Sequence, residues 1–373
     1  MVYRVIGCMS GSSLDGLDIA FVELQENGGN WSYEIIEAEC IPYTAAWVER
    51  LFHAESLPAY DYQILHADYG HYIGQQVNLF IDKHALHYKV ALIASHGHTV
   101  FHAPDKRMTA QIGDGASLAA ETKLPVVTDL RSLDVALGGQ GAPIVPIGEK
   151  LLGDFDFFLN IGGIANISST SKNGGGNRGF DVCPANRVLN MLANETGKDF
   201  DEYGGLASTG EVNKELLARL DGLEYYRLPS PKSLANDFGT RTIYPIIKEA
   251  EMTAKDALRT YVEHIALQIK RAILAAGHLH QPDGHGIQTP VSRLLITGGG
   301  AFNTFLIEQL RAHLKELNID IVVPDEKLIK YKEALIMGFI GVLRWRQEYT
   351  VLSSVTGAAR DSIGGALWNG QEA

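Results

Sequence analysis

Cysteine is scarce in this chain: three residues in 373, Cys8, Cys40 and Cys183, with no C-x-x-C spacing among them. They cannot all pair within one chain, and such sparse use suits a reducing compartment. Long apolar runs are missing as well. Gly, Ser or a charged residue interrupts each hydrophobic stretch well before the roughly 18 residues a membrane span needs, and the 46% hydrophobic content is that of a soluble globular protein. The amino terminus lacks a basic segment with a long apolar core, since Ile6 runs directly into Gly7-Cys8-Met9-Ser10-Gly11. Cytoplasmic location and no membrane partner are the expectations. Positive charge is the third shortage: 32 Lys and Arg against 44 Asp and Glu, a net charge of −12. A nucleic-acid partner would need a concentrated basic patch to overcome that repulsion. The densest basic stretch, Arg344-Trp345-Arg346, sits at a helix end, where it complements the dipole, so no nucleic-acid partner is expected.

What the chain does have is one pattern written twice: an apolar strand, a Gly/Ser-rich turn, two further strands, then helices. The first copy opens at Val2 and turns through Gly11-Ser12-Ser13-Leu14-Asp15-Gly16-Leu17-Asp18. The second opens at Phe155, turns at Gly162-Gly163 and continues into Arg178-Gly179-Phe180-Asp181. In the first half, Leu65, Tyr69, Ile73, Val77 and Phe80 recur at helical spacing and predict one buried helix face. A chain of this length fits about two domains of roughly 150 residues. The βββαβα order, duplicated, predicts an α/β protein of two ribonuclease-H-like (actin-like ATPase) domains facing each other across a nucleotide cleft. A single Rossmann fold fits less well, because neither Gly-rich turn leads directly into a helix. The expected domains are 1–136, completed by 350–373, and 137–349. The glycines of Leu137-Gly138-Gly139-Gln140-Gly141-Ala142-Pro143 could form a hinge between them. Segments 169–177 and 280–289 read as surface insertions.

Turns of glycine and hydroxyl residues at strand ends present backbone N–H groups without steric bulk and hold anions. Three such turns stand at matching places in a duplicated fold: 11–18, Gly162-Gly163, and Gly298-Gly299-Gly300 followed by Asn303. Together they point to a nucleotide, with two clamping phosphates and the third against adenosine. Asp181, at the end of a strand, could act as a general base or could be a cap or solvated strand end. His96, His98 and His102 contain an H-x-H pattern open to a metal reading, but no nearby Cys or Glu completes a set, and the imidazoles could equally bond sugar hydroxyls. Asp114, Asp129, Arg131 and Asp134 follow neighbouring strand ends, where ligands gather in open α/β sheets.

The run Gly7-Cys8-Met9-Ser10-Gly11-Ser12-Ser13-Leu14-Asp15-Gly16-Leu17-Asp18 resembles the G-x-M-S-G-T-S-x-D-G-x-D signature of the anhydro-N-acetylmuramic acid kinase family, in the sugar kinase, Hsp70 and actin superfamily. Ser95-His96-Gly97-His98-Thr99, Gln111-Ile112-Gly113-Asp114, Gly138 to Pro143, Asn160 to Asn166 and Lys332-Glu333-Ala334 are similar to further family blocks, in family order. The resemblance covers nearly the whole chain. It implies ATP-dependent opening and phosphorylation of 1,6-anhydro-N-acetylmuramic acid to N-acetylmuramic acid 6-phosphate, in cell-wall recycling. It also implies Asp181 as the base that activates water, Glu333 as its helper, turn 11–18 around the triphosphate with Mg²⁺, and a homodimer; the magnesium ligands are not implied. His96, His98, Arg131 and Asp134 are the residues expected to hold the amino sugar. The family usually has Gln at His98, Thr at Ser12, and Gly-Pro-Gly-Asn where this chain has Cys183-Pro184-Ala185-Asn186. Two other classes compete: a non-catalytic ATP-binding module, which would have little reason to keep Asp181, Glu333 and the His96 to Arg131 polar set, and a metal-dependent hydrolase using the histidines. Bound zinc would support the latter.

Overall fold

The computed structural model describes residues 1–11, 13–149, 151–169, 178–229, 232–235, 237–276 and 291–371. Ser12, most of the 169–177 insertion and all of 280–289 lie outside these residues. The chain divides into two compact units, Met1–Gly153 with Tyr331–Ala373, and Asp154–Lys330.

The first unit contains β1 (Val2–Ser10), β2 (Gly16–Asn27), β3 (Asn30–Pro42), β4 (Leu92–Ser95), β5 (His98–Ala103), β6 (Met108–Ile112) and β7 (Val126–Thr128). The second contains β8 (Phe157–Ile161), β9 (Ile164–Ser169), β10 (Arg178–Pro184), β11 (Ser292–Thr297) and β12 (Ile319–Val322); β13 (Ala366–Trp368) returns to the first. The main sheets run β13-β7-β4-β1-β2-β3 and β10-β9-β8-β11-β12, with β5–β6 a separate ribbon. In each main sheet the first three strands form an antiparallel meander and the next pair in parallel. This is the ribonuclease-H-like order, present twice.

Local chemistry accounts for the elements around the sites. Leu65, Tyr69, Ile73, Val77 and Phe80 of the helix Ala59–Lys83 are all buried, forming the apolar stripe that their spacing predicts. Asp114 starts the helix Gly115–Thr122 by accepting from the Ser117 N–H at 2.8 Å. The helix Glu326–Trp345 loses helical torsions at Tyr331 (φ −114°, ψ 15°), where the chain passes from the second unit to the first. Beyond that point it packs on β1 so closely that a Cβ on Gly7 would lie 1.8 Å from the Ala334 carbonyl oxygen. Only glycine permits that approach.

The division differs from the expected boundaries at 136/137 and 349/350. It falls at Gly153/Asp154, and the chain returns at Tyr331. Long-range bonds explain this. Buried Asp134 accepts the Gly141 N–H at 2.7 Å through Oδ2 and the Thr356 hydroxyl at 2.7 Å through Oδ1, and the Gln140 N–H donates to the Thr356 carbonyl at 2.8 Å. The glycine segment expected as a hinge between domains is therefore pinned inside the first unit.

Candidate active site

In the first unit the residues expected to form a phosphate loop make the turn between β1 and β2. Among the described residues its one internal backbone bond is from the Leu14 N–H to the Gly11 carbonyl, at 3.4 Å. Leu14 stands at φ 59°, and the turn leaves Gly11, Ser13 and Asp15 at least partly exposed. Gly16 and Leu17 are buried at the start of β2, so their contribution is to shape the turn. Asp18, one register step further, is half-buried and receives a hydrogen bond from the Cys40 thiol. Burial pushes its pKa up to about 6, with Glu333 and Asp15 repelling its charge and the Cys40 bond opposing the shift. The close seating of Ala334 on Gly7 is what brings Glu333 to this strand end.

Arg131 lies in the same unit. Its Nε donates to His96 Nε2 at 2.8 Å and an Nη donates to the Gly141 carbonyl at 2.6 Å. Burial lowers the guanidinium pKa to about 10, and the Glu333 charge opposes that shift. His96 can accept from Arg131 only as the neutral tautomer protonated on Nδ1, which donates to the Gly97 carbonyl at 2.9 Å. Burial, assisted by the Arg131 charge, lowers its pKa to about 3. Both His96 nitrogens are thus engaged, and the ring orients Arg131. His102, on β5, bonds Thr109 through Nδ1 at 3.1 Å. Among the described residues no three His, Cys, Asp or Glu side chains converge to hold a metal ion. Asp134, expected at the sugar, has both carboxylate oxygens occupied by Gly141 and Thr356, and holds the loop that accepts from Arg131.

His98 is buried and bonds Ser10 Oγ through Nδ1 at 3.0 Å; Ser10 in turn accepts from the Tyr43 hydroxyl at 2.8 Å, which lies 2.6 Å from that of Tyr69. Ser10, Tyr43 and Tyr69 were not singled out as site residues by sequence reasoning. The available signal was Tyr69 within a buried helical stripe, since a buried phenol must find a partner.

The second unit holds the other expected residues. Asp181, Asn166, Asn160 and Thr297 occupy one register row across β10, β9, β8 and β11. Residues paired across strands share a face, so this row lines polar groups along the carboxyl end of β8 and β11. A bulge between Asp181 and Cys183 bends β10 at the carboxylate. Asp181 Oδ2 accepts from the Leu234 N–H at 2.9 Å, its N–H donates to the Lys232 carbonyl at 3.0 Å, and its carbonyl accepts from Tyr225 OH at 2.6 Å. Burial raises the Asp181 pKa, opposed by the Leu234 N–H.

The Gly162-Gly163 turn feeds the next helix: the Gly163 carbonyl accepts from Ala185 N–H at 2.8 Å and the Gly162 carbonyl from Asn186 N–H at 3.0 Å. Gly298 and Gly300 are needed for packing, since a Cβ on either would lie 2.8 Å from Asn160 Oδ1 or 2.2 Å from Ile161 Cγ2. Gly299 between them is exposed. Asn303 caps the helix Thr304–Leu314, its Oδ1 accepting from Leu306 N–H at 2.9 Å.

The family model for anhydro-N-acetylmuramic acid kinase matches residues 3–370. The chain belongs to the anhydro-N-acetylmuramic acid kinase family. Relatives bearing that name include those of Hydrogenovibrio crunogenus, 33% identical over 98% of this chain and 97% of the relative. That of Vibrio cholerae is 32% identical over 97% of both, and that of Photobacterium profundum 30% identical over 98% of this chain and 99% of its own length. No helix among the described residues is long and apolar enough to cross a membrane.

Proposed function

We propose that this kinase converts 1,6-anhydro-N-acetylmuramic acid, ATP and water to N-acetylmuramic acid 6-phosphate and ADP, a cytoplasmic step of peptidoglycan recycling. The observation that carries the reading is the family match over residues 3–370, with Asp181 half-buried beside the bulge inside β10 and Oδ1 without a hydrogen-bond partner among the described residues. Oδ1 takes a proton from water as the water oxygen bonds to C1 of the sugar. The C1–O6 bond breaks, O6 keeps its electron pair and attacks the γ-phosphorus, and ADP leaves. The proton on Asp181 passes to solvent. Burial raises the Asp181 pKa and so makes it a stronger base, and such a base contributes about 10²–10⁴-fold. Glu333 helps place the water. Arg131, held by His96 and the Gly141 carbonyl, and His98 bind the sugar; His96 and Asp134 act by holding Arg131 and its loop. The rest of the acceleration is positioning and charge stabilisation, as in phosphoryl transfer generally.

For ATP, the backbone at Gly11, Ser13 and Asp15, at least partly exposed, and the open backbone at Gly163 suit phosphates, and Gly299 offers a surface without a Cβ to adenosine. Mg²⁺, when bound, neutralises the phosphates. The repulsion that Glu333 and Asp15 exert on Asp18 fits a cation carried in with ATP, held largely through phosphates and water. Turnover in H₂¹⁸O tests the reaction: one heavy oxygen should enter at C1 and none at the phosphate ester, read by mass spectrometry before anomeric exchange. Label in the phosphate would contradict it.

A further inference from the structure

The buried row Tyr69–Tyr43–Ser10–His98 has a proton order that its geometry dictates. Tyr43 donates to Ser10 Oγ at 2.8 Å, so its single proton is spent there. The contact of 2.6 Å between the two phenols then requires Tyr69 to be the donor to Tyr43. Of the bonds that join this row, the one left for the Ser10 proton is that to His98 Nδ1, at 3.0 Å. If Nδ1 instead carried the proton, it would donate to Ser10 and strand the Ser10 hydroxyl proton in a site where Ser10 is 3% and Tyr69 0% exposed. Three hydroxyl protons fill three bonds only when Nδ1 is bare. A buried imidazole whose pKa burial lowers is neutral, so its remaining proton is on Nε2.

We propose that Tyr69, Tyr43 and Ser10 are positioning residues that lock His98 as an Nε2–H donor, making it a specificity determinant that reads an acceptor oxygen of the amino sugar. Nε2 has no hydrogen-bond partner among the described residues. An amide donates through one end and accepts through the other, and can turn over to exchange them. A tautomer-locked imidazole presents a donor alone and favours carbonyl, carboxylate or ether oxygen over an N–H. The sugar half of this inference rests on the kinase reading above; the tautomer half does not.

The test uses the full chain labelled with ¹⁵N-histidine and long-range ¹H–¹⁵N spectra, with His98 assigned by its loss in His98→Leu. The expected wild-type signal is the neutral Nε2–H form from pH 6 to 8, and Ser10→Ala should populate the Nδ1–H form. A wild-type Nδ1–H or imidazolium signal overturns the lock. In kinetics, Ser10→Ala should raise KM for 1,6-anhydro-N-acetylmuramic acid about tenfold with a smaller change in kcat. An unchanged KM in a variant whose tautomer has shifted overturns the specificity role. Tyr43→Phe removes the donor to Ser10 without a cavity and repeats both readings if Ser10→Ala does not fold. Wild-type protein with the Nε2–H signal but no sugar-dependent turnover would overturn the sugar assignment and leave the tautomer lock standing.

Discussion

Ala334 and Gly7 meet backbone to backbone: the carbonyl of one occupies the space where a side chain on the other would begin, 1.8 Å from an ideal Cβ. This contact fixes the helix that carries Glu333 against the strand that leads into turn 11–18. Gly7→Ala should therefore cost at least the 1–3 kcal/mol of ordinary overpacking, about 3 kcal/mol or more, because backbone atoms cannot rotate away. Denaturant unfolding measures it. Wild-type stability in Gly7→Ala would mean that the helix is not seated as described.

Asp18 makes a pH-dependent prediction. Its folded-state pKa of about 6 lies above the ordinary value of 3.8, so the folded chain binds that proton more tightly than the unfolded one. Stability from this group is lost as pH rises from about 4 to 6, and the ionised carboxylate is a liability above that range. Asp18→Asn should gain about 1–3 kcal/mol at pH 7, the full shift being discounted for partial exposure, and should gain nothing near pH 3.5. Urea unfolding at both pH values checks it, and an equal effect at both would remove the electrostatic explanation. If Asp18 serves the triphosphate as proposed, the stabilised variant should also lose activity.

His96→Leu should strand the buried Arg131 Nε. The expected loss is about 1–3 kcal/mol of stability, together with a raised KM for the sugar as the guanidinium loses its orientation. Removal of a hydrolytic metal ligand would instead abolish kcat and deplete bound zinc. Zinc content of the wild-type and variant proteins, measured with KM and kcat, separates the two.

The acid limb of kcat/KM against pH should reflect Asp181. Burial raises its pKa, so the limb should lie above the ordinary aspartate value, with activity falling as pH drops through it. Tyr225→Phe removes a bond to the Asp181 carbonyl and not to its carboxylate, and should leave the limb in place. A limb at the ordinary aspartate value in the wild type would count against Asp181 as the base.

The duplicated sheet was legible because its signals are local. Glycine turns, strand lengths and the stripe from Leu65 to Phe80 each lie within a few residues of one another. Asp181 was legible as a carboxylate on the third strand of its meander, but not its place there: β10 runs on to Pro184, so Asp181 sits beside a bulge inside the strand and does not close it. The division of the chain was not, because Asp134 is joined to Thr356 across 222 residues of sequence and no local composition records it. Adjacency in sequence did not reveal that His96 and His98 face different partners, Arg131 for one and Ser10 for the other. Tyr69 reads as one residue of a buried stripe, and only the fold reveals that its hydroxyl joins those of Tyr43 and Ser10 in a hydrogen-bonded row.

The most direct measurement is ADP release with Mg-ATP, with and without 1,6-anhydro-N-acetylmuramic acid, for the intact protein and Asp181→Asn. The account predicts release that depends on the sugar and falls by about 10²–10⁴-fold in the variant. Release that ignores the sugar while ATP still binds, or a variant as active as the wild type, would contradict it.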